Sequence, residues 1–154
     1  MIREQKHKLK KMIKKIKSGI YQGTINIPSS KSDSQRAILL AALGKEFSTL
    51  YNIGNSDDEI AMLHSVETLG ATVNKLNEST CKIGGGLKFT QPYKLNVKES
   101  GLSLRLLASV CALSFHNVTL NGTGSLTNRS MHLFEEFLPK FDVKVKTKNS
   151  HIPL

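Results

Sequence analysis

Pro28-Ser29-Ser30-Lys31-Ser32-Asp33-Ser34-Gln35-Arg36 runs without a break into Ala37-Ile38-Leu39-Leu40-Ala41-Ala42-Leu43. Just upstream, Thr24-Ile25-Asn26-Ile27 alternates polar and apolar side chains. Pro28 offers no N–H to a sheet and biases Ile27 toward extended backbone, so a short strand is expected to stop there. The seven apolar residues after Arg36 predict a helix that is apolar on every side and therefore buried. Serines, a lysine and an arginine join the two elements. The unpaired N–H groups of a helix's first turn and the positive end of its dipole favour an anion, and hydroxyls with two cations extend that preference. Lys31 supplies a point charge, and Arg36 a planar fork suited to carboxylate or phosphate. Spacing alone leaves a plainer alternative open, in which a serine caps the helix and both cations are solvated.

Beyond this helix, Phe47 to Ile53 alternates as a strand, and Ser56-Asp57-Asp58-Glu59 opens a second helix with Ile60, Leu63 and Val66 on one face. Leu69-Gly70 ends it with a glycine, and strands are expected at Thr72 to Leu76 and Cys81 to Ile83. The same order then returns. Tyr93-Lys94-Leu95-Asn96-Val97 leads through Glu99-Ser100-Gly101-Leu102-Ser103-Leu104-Arg105 into an apolar run from Leu106 to Leu113. Asn117 to Leu120 forms the middle strand of this second pass, Ser125 or Thr127 is expected to cap a helix over Met131 to Leu138, and Asp142 to Thr147 reads as the next strand. Arg36 and Arg105 are 69 residues apart, and Phe47-Ser48-Thr49-Leu50 precedes Asn117-Val118-Thr119-Leu120 by 70. That spacing predicts a duplicated β-α-β-α-β-β unit, over 19–88 and 89–154, in an α/β chain.

The motifs also carry a family likeness. Ser30-Lys31-Ser32-Asp33-Ser34-Gln35-Arg36-Ala37 resembles the S-K-S-x-S-x-R-A segment that opens the 5-enolpyruvylshikimate-3-phosphate synthases, the 3-phosphoshikimate 1-carboxyvinyltransferases of the shikimate pathway. The resemblance continues through Asn52-Ile53-Gly54-Asn55-Ser56-Asp57-Asp58, Gly101 to Leu107 and Gly122 to Arg129, in the family's order. It implies the enolpyruvyl transferase fold, whose domains are each built from three β-α-β-α-β-β units. About two would be present here. It also implies transfer of the enolpyruvyl group from phosphoenolpyruvate to 3-phosphoshikimate by addition and elimination, with no cofactor and no metal.

Carried over by position, Lys31 would contact both substrates, Ser32 and Arg36 would hold 3-phosphoshikimate, and Gly101 and Arg129 would meet phosphoenolpyruvate, with Arg105 as a further possibility. The family's proton-transfer groups and much of its second domain would fall beyond position 154, so no catalytic residue is expected within the chain. A missing carboxy-terminal part becomes the implied partner, and the chain alone is expected to bind weakly and turn nothing over. Two departures stand out. The family commonly has Asn-x-Gly-Thr where this chain has Glu99-Ser100-Gly101-Leu102, and it has arginine where this chain has Ser125. UDP-N-acetylglucosamine enolpyruvyl transferases are a second fit, but they generally carry Lys-Asn in place of Lys31-Ser32 and a loop cysteine.

Composition bounds the remaining classes. A hydrophobic fraction of 39% over 154 residues suffices for one core. No run of about 18 apolar residues predicts a transmembrane helix, no apolar h-region opens the chain, and a cytoplasmic protein without membrane contact is expected. Cys81 and Cys111 lack metal-ligand spacing and are expected as buried thiols. The charge of +10 is concentrated in a basic leader at 1–18, which carries a net +7 and leaves +3 for 19–154. Leu9, Met12, Ile13 and Ile16 recur there at helical spacing among lysines. Binding of nucleic acid or another polyanion through this leader is the alternative from a different class, and it predicts steep salt dependence. A purely interaction-making remnant is a third. Asp57 and Asp58 are expected to complement the dipole of their helix.

Overall fold

The computed structural model describes residues 14–113 and 117–154. Helix α1 (Lys31–Leu43) leads to strand β1 (Phe47–Leu50), helix α2 (Asp57–Thr68), and strands β2 (Thr72–Lys75) and β3 (Cys81–Gly84). Strand β4 (Tyr93–Asn96), helix α3 (Gly101–Cys111), strand β5 (Val118–Asn121) and the short helix α4 (His132–Phe137) follow, with 3-10 turns at Gly124–Asn128 and Leu138–Phe141. In the first half β3 lies between β1 and β2, antiparallel to both, with Ile83 opposite Ser48 on one side and Val73 on the other. In the second half β4 and β5 run parallel, Leu95 opposite Leu120, with α3 as the crossover between them. The fold is α/β, as the alternation of patterns predicts.

The three long helices bury a common core. From α1 come Ile38, Leu39, Ala41 and Ala42; from α2 Ala61, Met62 and Val66; from α3 Leu104, Leu107, Ala108 and Cys111. Each set recurs at the three- and four-residue spacing of one helix face. Met62, Ile83 and Leu107 are fully buried, and each such side chain contributes about 1.5–3 kcal/mol. The buried face of α2 is turned relative to the expected one, since Ile60 and Leu63 stay half-exposed while Ala61 and Met62 point inward. Helix α1 is not buried on every side either, because Leu40 is 68% exposed and Leu43 45%. Hydrophobicity marks the helix but does not say which sides a neighbour covers.

Two glycines hold the first half together. Gly70, at φ +102°, closes the C-terminus of α2, where the Ala71 N–H donates to the Val66 carbonyl at 3.0 Å. Gly85 passes so close to the Gly44 carbonyl at the end of α1 that a Cβ would collide with it, while the Gly86 N–H donates to the Ala42 carbonyl at 3.1 Å.

Three expectations fail. Thr24–Ile27 forms no strand, and Ile25 and Ile27 are 82% and 77% exposed. Alternation makes a segment able to pair, but only a neighbouring edge makes it a strand, and none lies beside it among the described residues. Asp142–Thr147 is irregular for the same reason. Glu135 holds it instead, accepting from the Thr147 hydroxyl and from the Ser150 hydroxyl at 2.7 Å. Ser125 and Thr127 lie in a 3-10 turn and do not cap α4, whose cap position is held by Met131 with no side-chain hydrogen bond. Of the basic leader, residues 1–13 lie outside the described residues, and 14–18 carry no helix. No helix among the described residues is long and apolar enough to cross a membrane. Cys81 and Cys111 are buried free thiols, and burial pushes the Cys111 thiol up to about 12.

Candidate functional site

The first turns of α1, α2 and α3 meet. Asp58 of α2 pairs with Lys31 of α1 at 2.7 Å. Its neighbour Asp57 pairs with Lys98, just ahead of α3, at 3.1 Å. Gln35, fully buried on α1, accepts from the hydroxyls of Ser100 and Ser103 on α3 at 3.1 and 3.2 Å. Its Nε2 has no partner among the described residues. The acids of α2 therefore complement their own dipole, as expected, and also bind cations from both neighbouring mouths.

The three helix starts are finished differently. At α2, Ser56 and Glu59 form a reciprocal capping box. Glu59 also accepts from the Gly54 N–H at 2.8 Å and the Ser56 N–H at 3.1 Å. Burial pushes this carboxyl up, but hydrogen bonds from Ser56, Ser34 and the backbone more than offset it, so its pKa falls below the usual carboxylate range. At α3, the Ser100 hydroxyl accepts from the Ser103 N–H at 3.1 Å. At α1, the Ser30 side chain caps nothing. The first helical bond runs from the Ser34 N–H to the Ser30 carbonyl at 2.9 Å, which leaves the N–H groups of Lys31, Ser32 and Asp33 without an intrahelical acceptor.

The residues singled out from the sequence fall into two groups. Lys31, Ser32 and Arg36 lie on the first two turns of α1, where the Arg36 guanidinium is tied to Asp33 at 2.8 Å and remains 53% exposed. An open pocket of about 270 Å³, lined in part by Ser30, Asp33, Ser34 and Asn52, adjoins this turn. Gly101, Arg105 and Arg129 form the other group at the mouth of α3. The Arg129 guanidinium lies across Gly101 closely enough that any Cβ would strike it, and the Arg105 Nη1 donates to the Gly101 carbonyl at 3.4 Å. Lys31 and Arg36 are neither free nor buried; each stands at the rim with an acid as its present partner. Sequence reasoning missed Gln35, Lys98 and Glu59 as the parts that join these mouths. Ser56-x-x-Glu59 is a legible capping box, whereas a glutamine on a helix's inner face gives no signal of what it will meet.

Comparison with known proteins places the chain in a family. The family model described as EPSP synthase (3-phosphoshikimate 1-carboxyvinyltransferase) matches residues 16–154. The chain belongs to the EPSP synthase family. The 3-phosphoshikimate 1-carboxyvinyltransferase of Serratia proteamaculans is 36% identical over 121 residues, covering 75% of this chain and 28% of that relative. The enzyme of the same name from Yersinia pseudotuberculosis matches over the same shares at 36% identity. Among solved structures, EPSP synthase from Acinetobacter baumannii superposes with a TM-score of 0.75 at 22% identity, over 85% of this chain and 31% of that one, and shows the shared fold. The chain thus spans less than a third of the length of these relatives.

Proposed function

We propose that this chain carries part of the substrate site of a 3-phosphoshikimate 1-carboxyvinyltransferase in the shikimate pathway and works with a carboxy-terminal part that completes the enzyme in the cytoplasm. Lys31, Ser32 and Arg36 hold 3-phosphoshikimate at the mouth of α1. Gly101 and Arg129, with Arg105 beside them, receive phosphoenolpyruvate at the mouth of α3, and Lys31 reaches both. Residues 19–88 and 89–154 serve as two units of one partial domain that supplies these mouths. The observation that supports this reading best is the uncapped start of α1, where three backbone N–H groups without helical acceptors stand beside two cations and a serine hydroxyl.

Both substrates carry several negative charges, and their reaction requires two anions to be held against their mutual repulsion. Helix N-termini and cations at the rims of adjoining mouths lower that cost without any proton transfer by this chain. The acids now paired with Lys31 and Arg36 keep both cations oriented until a phosphate takes their place.

A calorimetric or NMR titration of the chain with 3-phosphoshikimate tests this reading, with shikimate as the unphosphorylated control. Saturable binding is expected, weakened at least about tenfold in Arg36→Ala and for shikimate, in keeping with the loss of a charge-assisted phosphate contact. Equal binding by Arg36→Ala, or equal binding of shikimate, would sink it.

A further inference from the structure

The mouth of α3 already contains an acid of its own. Glu99 stands two residues before Gly101, exposed to solvent, and its Oε2 accepts from the Ser125 N–H at 2.9 Å. A side chain on Gly124 would run into its carboxylate. The Ser125 N–H and hydroxyl hold its carboxyl below the usual range against desolvation, with smaller opposing influences from the positive charge of Arg129 and the negative charge of Asp57. The surrounding charges are Arg129 from the turn after β5, Arg105 from α3, and Asp57 from α2, the last already engaged by Lys98. Glu99 thus holds a hydrogen-bond donor that an incoming anion would use, and stands in the field of Arg129.

We propose that Glu99 is an internal competitor for the anion at the mouth of α3 and sets the affinity of that mouth: a small phosphorylated carboxylate binds beside Gly101 and Arg129 only by displacing it. The inference rests on the reading of Gly101 and Arg129 as phosphoenolpyruvate contacts. Its physical basis is tethering. A carboxylate fixed two residues from the site acts at a high effective concentration, so even a weak interaction with Arg129 and Ser125 competes with a free ligand. Its charge also repels the ligand directly, and more strongly for phosphoenolpyruvate, with two acidic groups, than for inorganic phosphate. The mouth of α1 shows the contrasting arrangement, in which Asp33 and Asp58 each hold one cation but leave the helix's own N–H groups open.

Glu99→Gln separates the charge from the contact, because its amide oxygen still accepts from the Ser125 N–H. In NMR titrations of the full chain with phosphoenolpyruvate, followed at the Gly101 amide and the Arg129 Nε–H, Glu99→Gln is expected to bind about five- to tenfold more tightly than the unmodified chain. Glu99→Ala is expected to shift in the same direction, inorganic phosphate to gain less, and the 3-phosphoshikimate response at Ser32 to stay the same. Equal or weaker phosphoenolpyruvate binding by both variants overturns the competitor and leaves the reading of the half-site standing. Absence of any response at Gly101 and Arg129 in all three proteins overturns both.

Discussion

The mouths of α1 and α3 begin from similar sequence, a serine at the cap position leading into an apolar helix with an arginine five or four residues after its first residue, and they are finished in different ways. The α3 mouth is closed in part by its own chain: Ser100 caps the Ser103 N–H, Glu99 holds Ser125, and Arg129 covers Gly101. The α1 mouth is left open, with no side-chain cap and with its cations held by acids at the rim. Similar motifs therefore set two helix starts in place, while neighbouring side chains decide which of their groups are left without a partner. One helix start can be waiting while its sequence counterpart is occupied by its own chain.

The two mouths are not independent, because Gln35 ties them. Removing that link is the largest perturbation available at the site. Gln35→Ala deletes a fully buried side chain and leaves the hydroxyls of Ser100 and Ser103 without their acceptor. Loss of packing and of two buried hydrogen bonds together is expected to lower stability by about 3 kcal/mol, measured by urea denaturation. A loss under about 1 kcal/mol would mean that the helices are held together by their apolar faces alone and that the mouths are uncoupled.

The contrast between the two caps is sharpened by the same substitution made twice. Ser100→Ala removes a cap and a donor to Gln35, and is expected to cost about 1–2 kcal/mol. Ser30→Ala removes a side chain that caps nothing, and is expected to stay within about 0.5 kcal/mol of the unmodified chain. Thermal or urea unfolding of the two variants side by side decides the matter. Equal costs would show that Ser30 caps α1 in solution and that the open mouth is not open.

The sequence carried the elements and the family but not their surroundings. Helices α1, α2 and α3, β1 and the β2–β3 pair stand within a few residues of where periodicity, glycines and serine caps placed them, because those signals act locally. What failed depended on neighbours. Thr24–Ile27 and Asp142–Thr147 have strand alternation, but pairing requires an edge supplied by another segment. Leu40 and Leu43 lie within an apolar run yet face outward. Of the residues proposed for the site, Lys31, Ser32, Arg36, Gly101 and Arg105 were legible as polar groups and a glycine at the starts of apolar helices, and Arg129 only through the family likeness. Their present partners, Asp58 for Lys31 and Asp33 for Arg36, were not, since an ion pair 27 residues apart such as Lys31–Asp58 leaves no periodic trace.

Helix α2 offers a third start, against which the other two can be measured. Its capping box is complete, and Glu59 is nearly inaccessible, at 2% exposure, while accepting from Gly54 and Ser56. Glu59→Gln keeps an acceptor oxygen but gives up the charge, and is expected to cost about 1 kcal/mol at neutral pH. The pH dependence has a definite sign. The folded-state pKa of Glu59 lies below its ordinary value of 4.5, so its ionised form stabilises the fold fully above that value. That contribution is lost as pH falls through the lowered folded-state pKa, where the native carboxylate at last takes up its proton. Stability curves of the two proteins from neutral to acid pH are therefore expected to converge at the acid end. A gap that stays constant down to acid pH would mean that Glu59 acts through its two acceptor oxygens, one of which Gln replaces with a donor, and not through its charge. The start of α2 would then resemble the cap of α3, satisfied by geometry, more than the charge-held rim of α1.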